Sequence, residues 1–399
     1  MVSQRMKELG TARSVIRELF EYGKVRAAEV GAENVFDFSL GNPSVPAPAA
    51  VNETAIRLLQ EQPDLIHAYT SAQGAADARE RFAASLNRRF GTGYTPDRLY
   101  LTVGAAASLC CVFNGLTCPG DEFVVFAPYF TEYKVFIEGA GARMTLIPPE
   151  IEGFQIDFET FERAINEHTK GVVINTPNNP SGVVYSRATL ERLAAVLTEK
   201  SKQYGHPIYL ISDEPYREIV FEGVDAPCVS AFYDNSIMCY SFSKSLSIPG
   251  ERIGYVAVNP NCKDAETMVN MCGQISRGIG HNCPPSIIQL AVAKVLDKTA
   301  DLGVYETNMQ LLYQELTELG FTCVKPGGTF YIFPKALEED AKEFCRKALK
   351  YDLVLVPGDT FGAPGYFRMA YCIDTEKVKR SLAALRRFVK ENYAQGRGC

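Results

Sequence analysis

Tryptophan is absent from this 399-residue chain, and histidine occurs only four times. No indole platform is available, and the four histidines do not cluster with the cysteines. The twelve cysteines are scattered without a CxxC pair, away from the histidines, which argues against a structural zinc site and leaves no metal expected. With no export signal in so long a chain, reduced thiols in the cytoplasm are expected, and adjacent Cys110 and Cys111 read as helix packing. A strong charge of either sign is lacking too. The formal net charge is −6 and the Lys/Arg clusters are short, which disfavours nucleic acid or an anionic membrane as partner but leaves room for a small anionic ligand. No stretch approaches the roughly 18 apolar residues of a membrane span. Residues 1–19 carry Arg and Glu throughout rather than the apolar core of a signal peptide. Internal repeats and low-complexity linkers are missing.

What is present is an alternation of short β-rich runs and helical stretches, the pattern of a largely parallel sheet covered by helices. Five apolar runs, at residues 100–103, 123–126, 172–175, 208–211 and 237–240, each end in small or polar residues. Ligands of open α/β sheets bind at the carboxyl ends of the strands, so these termini are expected to converge on one site. Beyond them, residues 290–319 read as helical, ended by Gly320. Strands at 328–333, 353–356 and 365–371, a helix at 337–350 and a final amphipathic helix complete the chain. The expected fold is α/β. A large domain (46–290) holds a mostly parallel sheet flanked by helices, a smaller α+β domain spans 291–399, and residues 1–45 form an arm or part of the small domain.

The strand ends carry the chemistry. Lys244 lies in Ser241-Phe242-Ser243-Lys244, close to Arg252. A lysine after a buried strand, among hydroxyls and near a cation, suits a site holding a phosphate and a reactive amine, because Schiff-base chemistry needs a lowered lysine pKa. Read alone, it is equally a surface lysine on a serine-rich loop. Asp213 follows an apolar run and suits a carboxylate that keeps a pyridine nitrogen protonated, as pyridoxal phosphate (PLP) requires; it could also be a helix N-cap. Tyr216 lies within reach of the same cofactor's phenolic oxygen, or is an aromatic at a domain boundary. Asn179, in a turn fixed by Pro180 and Gly182, can donate to that oxygen or simply make the turn. Gly104 and Ala105 open a helix whose exposed N–H groups seat a phosphate, or pack closely against a neighbour. Phe130 could stack on the pyridine ring or belong to the core.

The order of these signals is more specific than any one of them. A small-residue phosphate loop, an aromatic after Pro128, Asn179-Pro180-Ser181-Gly182, Asp213-x-x-Tyr216, the Lys244 segment and Arg252 follow one another. In that order the chain resembles the class I/II PLP-dependent aminotransferases of the aspartate aminotransferase superfamily (fold type I), from Leu40-Gly41-Asn42-Pro43 to Phe367-Arg368-Met369-Ala370-Tyr371. The resemblance implies that Lys244 carries pyridoxal 5'-phosphate as a Schiff base and then shuttles the substrate proton as base and acid. It implies that Asp213 pairs with the pyridinium, that Asn179 and Tyr216 contact the phenolic oxygen, and that Phe130 stacks on the ring. Ser241, Ser243, Arg252 and the backbone at Gly104 and Ala105 would hold the phosphate. Tyr69 would reach the phosphate of a neighbouring subunit, making the enzyme a homodimer with shared sites. Arg368 would grip the substrate carboxylate in a bidentate pair, helped by the backbone of Gly41. Two departures stand out: Ala105 replaces the hydroxyl many members carry there, and Phe130 stands where others stack an indole.

The expected activity is transfer of an amino group between an L-amino acid, aspartate foremost, and a 2-oxo acid such as 2-oxoglutarate. Arg277, in Arg277-Gly278-Ile279-Gly280-His281, resembles the segment that in some aspartate aminotransferases binds the side-chain carboxylate across the dimer, although its spacing to Pro284-Pro285 is one residue longer. His281 lines the pocket or caps a turn. A PLP-dependent C–S β-lyase is the alternative. A PLP-dependent regulator is remote, since about 35 residues before Phe36 are too few for a DNA-binding head.

Overall fold

The computed structural model describes residues 14–393 together with Val2, Gln4, Lys7 and Thr11; the rest of the expected N-terminal arm lies outside the described residues. The first strand, β1 (Phe36–Asp37), is followed by seven strands that form one sheet: β2 (Leu99–Thr102), β3 (Glu122–Phe126), β4 (Arg143–Ile147), β5 (Thr169–Asn175), β6 (Tyr209–Asp213), β7 (Ser236–Ser241) and β8 (Gly254–Val258). Their spatial order is β2-β8-β7-β6-β5-β3-β4. From β7 through β4 every pairing is parallel, and β8 runs antiparallel to both its neighbours. The sheet is therefore mostly parallel, as expected for an α/β fold.

Its strands read as continuous apolar runs because both faces are covered. On one face Val125, Val173, Ile211 and Cys239 pack with the helix Ala105–Leu116 and with Met268, Val269 and Cys272 of the helix Ala265–Gly278. On the other, Val124, Val172, Ile174 and Leu210 meet Leu190, Leu193 and Leu197 of the helix Arg187–Tyr204.

The later strands, β9 (Tyr331–Ile332), β10 (Leu353–Val354), β11 (Val356–Pro357) and β12 (Phe367–Ala370), form two small sheets. β11-β12-β9 is antiparallel. β10 instead pairs in parallel with β1, so the chain at residues 36–37 joins the C-terminal elements. One core unites Phe36, Phe38 and Val45 with Phe330, Phe344, Leu355, Phe367, Leu385 and Phe388.

Four expected elements differ. The single helix read over 290–319 is two, Ser286–Val292 and Gly303–Glu318. Between them the Ala300 N–H donates to the Ser245 carbonyl at 2.8 Å, a tertiary bond that competes with helix continuation. The strand read at 353–356 is split between two sheets at Leu355. The run at 328–333 is strand only at Tyr331–Ile332. The helix read at 337–350 is shorter, because Asp340 caps its start by accepting from the N–H groups of Lys342 and Glu343.

Candidate active site

The carboxyl ends of β3, β5, β6 and β7 converge on a cavity of about 520 Å³. Its walls include Gly41, Ala105, Phe130, Asn179, Asp213, Tyr216, Ser241, Ser243, Lys244, Arg252 and Arg368. Phe130, Asn179, Asp213 and Lys244 meet there because parallel strands deliver their last residues to the same edge, while Arg368 is brought in by β12 and Gly41 by the segment after β1.

Asp213 is the last residue of β6 and is 4% exposed. The Tyr133 hydroxyl donates to its Oδ2 at 2.6 Å, and the Asn175 amide donates to its backbone carbonyl at 2.8 Å. Its Oδ1 is buried without a hydrogen-bond partner among the described residues. Burial pushes the Asp213 carboxyl up to about 7; the Tyr133 bond opposes that rise and Glu214 adds to it.

Lys244 sits on a single helical turn, Phe242–Ser245, directly after β7. Ser241 caps that turn by accepting the Ser243 N–H, and the two hydroxyls lie 2.7 Å apart. The Lys244 amine donates to the Gly41 carbonyl at 2.7 Å. Burial pulls its pKa down to about 8, so a useful fraction of neutral amine exists near neutrality.

Arg368, on β12, is fully enclosed at 2% exposure. It donates to Asn179 Oδ1 at 3.0 Å and to the Ser39 carbonyl. The first of these bonds fixes the orientation of the Asn179 amide and leaves its NH2 as a donor. Tyr331 and Phe361 face the guanidinium at 4.6 and 4.8 Å, while Nε lacks a partner among the described residues. A planar cation held against two aromatic rings, with an unused donor, is arranged for a carboxylate. Tyr216 shares a 3.1 Å hydroxyl contact with Tyr331. A Cβ on Gly41 would come within 1.8 Å of the Tyr331 hydroxyl, so only glycine fits there.

Gly104 is the N-cap of the helix Ala105–Leu116 at φ +94°. Arg252 lies against it: a Cβ on Gly104 would be 2.7 Å from Arg252 Nη2. Arg252 itself is exposed and anchored by the carbonyls of Pro249 and Val103 at 2.9 and 3.2 Å. Helix N–H groups, two hydroxyls and a guanidinium therefore border one corner, a donor set suited to a phosphate. Together with the unpartnered Asp213 oxygen, these residues fit a phosphorylated pyridine of the kind implied by the sequence.

Two expected residues are not brought to this cavity. Tyr69 is fully exposed, and Arg277 is exposed in the last turn of the helix Ala265–Gly278. His281 lies 3.2 Å from the Ser276 hydroxyl in the turn that follows. Sequence reasoning missed Tyr133, Asn175 and Tyr331. It also missed the helix Val15–Val30, whose Ile16, Arg17 and Phe20 line the cavity. No local signal points to the first of them, since Tyr133 lies in the helix Glu132–Gly139, which begins after Phe130.

The model for the family described as aminotransferase class I and II matches residues 33–385. Aspartate aminotransferase of Thermotoga maritima is 30% identical over 397 residues, covering 98% of this chain and 99% of that protein. The crystal structure of an amino transferase from Eubacterium rectale superposes with a TM-score of 0.96 at 49% identity, over 98% of this chain and 99% of that one. Aspartate aminotransferase from Thermus thermophilus with maleate gives a TM-score of 0.86 at 27% identity, over 97% and 99% of the two chains.

Proposed function

Because this chain belongs to the class I and II aminotransferase family, we propose that it moves the amino group of L-aspartate to a 2-oxo acid such as 2-oxoglutarate with pyridoxal 5'-phosphate as cofactor. One observation carries the reading: among the described residues Asp213 Oδ1 and Arg368 Nε are both buried without partners, in a cavity they share with Lys244. Burying such atoms unsatisfied costs about 1–3 kcal/mol each, which ligands recover by supplying an acidic N–H and a carboxylate.

The cofactor, when bound, supplies an electron-withdrawing ring that stabilises negative charge at the substrate Cα. This chain's residues do the rest. Asp213 Oδ1 would accept a hydrogen bond from the ring N–H and so keep that nitrogen protonated. Lys244 would tether the cofactor and, once freed by substrate, take the substrate Cα proton on its amine and give it back as an acid. Asn179 and Tyr216 would donate to the phenolic oxygen, and Phe130 would cover the ring. Ser241, Ser243, Arg252 and the N–H groups at Gly104 and Ala105 would hold the phosphate. Arg368 fixes the substrate carboxylate, assisted by the backbone at Gly41, and so sets which Cα bond lies across the ring.

Two of the relatives named above are aspartate aminotransferases, one of them with maleate, and they support a four-carbon dicarboxylate for this chain. Arg277 is assigned to the distal carboxylate of a neighbouring subunit's substrate, and Tyr69 to that subunit's phosphate. The working unit is then a cytoplasmic homodimer, each protomer divided at residues 1–45, 46–290 and 291–399. Among the described residues no helix is long and apolar enough to cross a membrane.

The test is a half-reaction screen. The PLP enzyme is mixed with single amino acids while its absorbance is followed and pyruvate is assayed. Aspartate or glutamate should convert the cofactor to its pyridoxamine form without releasing pyruvate. Pyruvate and a thiol released from cystathionine, with no pyridoxamine form, would overturn the proposal in favour of β-elimination.

A further inference from the structure

A second cavity, of about 320 Å³, lies behind the turn that carries Lys244. One wall is Phe242, Ser245 and Leu246, the residues that flank the lysine. The opposite wall is residues 295–299, the connection between the helices Ser286–Val292 and Gly303–Glu318. The two walls are tied just beyond the cavity, where Ala300 donates its N–H to the Ser245 carbonyl at 2.8 Å. This cavity shares no lining residue with the one described above.

The lining reads as a binding surface for one kind of ligand. Phe82, Tyr240, Phe242 and Tyr255 form an aromatic floor, with centroids 5.0 Å apart for the Tyr240–Tyr255 and Tyr240–Phe242 pairs and 5.2 Å for Phe82–Phe242. Leu86, Val295 and Leu296 add apolar surface. The carboxylate of Glu218 is already neutralised, accepting from Arg89 at 2.8 Å and from the Tyr240 hydroxyl at 2.6 Å. Two cations stay available at the rim. Arg88 makes no ion pair among the described residues. Among the described residues Lys298 pairs only with its neighbour Asp297, at 3.5 Å, with both side chains more than half exposed, a pair of little energetic weight. A volume near the lower end of the roughly 300–1,000 Å³ typical of ligand pockets suits one ring rather than two.

We propose that this cavity binds a small aromatic carboxylate, ring against the Tyr240–Phe242 floor and carboxylate toward Arg88 and Lys298, and that its occupancy alters turnover through the Lys244 turn. The ligand spans the lysine turn and the 295–299 connection, so its binding restrains both at once. Tyr240 and Ser245 transmit the contact directly, since their hydroxyls lie 3.0 Å apart one residue from Lys244.

Phenylacetate is the probe, titrated calorimetrically into the holoenzyme with the active site saturated by succinate. It should still bind under those conditions, with affinity at least tenfold weaker in the Arg88→Glu, Lys298→Glu double variant. It should change kcat while leaving the KM for the amino donor unmoved. Arg88 and Lys298 are exposed, so the variant keeps the fold and its basal activity. The site is refuted by no binding at about 1 mM, the weak edge of specific recognition, by displacement with succinate, or by undiminished affinity in the double variant. Binding without any change in kcat refutes the coupling. The half-reaction screen is independent of all four results.

Discussion

Tyr133→Phe removes one oxygen from the molecule and almost nothing else. The ring remains, and with it the edge contact to Phe130 at 5.5 Å and 84°, so no cavity opens. What is lost is the 2.6 Å bond to Asp213 Oδ2 in a fully buried setting. That bond favours the ionised carboxylate, since Tyr133 is itself held neutral by burial, which raises its pKa well above the ordinary value. Hydrogen bonds to charged groups contribute about 1.5–3 kcal/mol, so cofactor affinity should weaken by roughly 10- to 150-fold. A second signature follows from the sign of the effect. Without the donor, the Asp213 carboxyl rises beyond about 7, and tight cofactor binding should begin at higher pH than in the parent. The assay is absorbance titration of cofactor-free enzyme with PLP across a pH series, with melting temperatures as a control on the fold. A parent-like affinity with an unmoved pH profile would show that Tyr133 does not set the state of Asp213.

Lys244→Ala should abolish transamination while PLP still binds non-covalently, measured by turnover and by retention of cofactor on gel filtration; substantial residual turnover would sink the assigned proton transfer. Arg368→Lys keeps the charge but not the planar fork, and kcat/KM should fall about 10- to 100-fold for every amino acid tested, in line with the loss of one charge-assisted hydrogen bond. Arg277→Ala and Arg17→Ala separate the sources of side-chain recognition: whichever reads the distal carboxylate should lower kcat/KM for aspartate but not for alanine, and equal loss on both substrates would rule that residue out. Cofactor-free enzyme should lose stability as pH rises from about 4 to about 7. Asp213 is pushed up from 3.8 to about 7 in the folded state, so the folded chain holds the extra proton in that window. Its burial then costs at most about 4 kcal/mol once the proton leaves. Chemical denaturation across that range, with and without PLP, should show the cofactor's stabilising effect growing with pH.

Much of the reactive apparatus is legible in the chain because strands announce their ends. Asp213, Asn179, Ser241 and Lys244 each follow an apolar run that closes in polar or small residues, and a parallel sheet has one edge at which such ends meet. Two strands of the seven-stranded sheet escaped for opposite reasons. β4 lies at the sheet edge with much of its surface exposed, so it lacks the continuous apolar run of its neighbours. β8 begins at Gly254, immediately after the serine-rich segment, and a Cβ there would clash with the Tyr240 carbonyl. The glycine reads as a turn, although close strand approach is what requires it.

Local sequence determined which residue types stand at the strand ends, and hence that an amine, a carboxylate and an amide were available to one site. Tertiary structure alone decided what those groups touch. Tyr133 lies 80 residues from Asp213, and Arg368 lies 189 from Asn179 and 329 from Ser39. No periodicity or turn rule spans such distances, because side-chain hydrogen bonds form wherever packing leaves a donor beside an acceptor. The same packing left Asp213 Oδ1 and Arg368 Nε without partners among the described residues and drew Lys244 partly out of water. Those consequences of burial convert an ordinary set of side chains into one chamber that offers a carboxylate oxygen, a guanidinium N–H and an amine together.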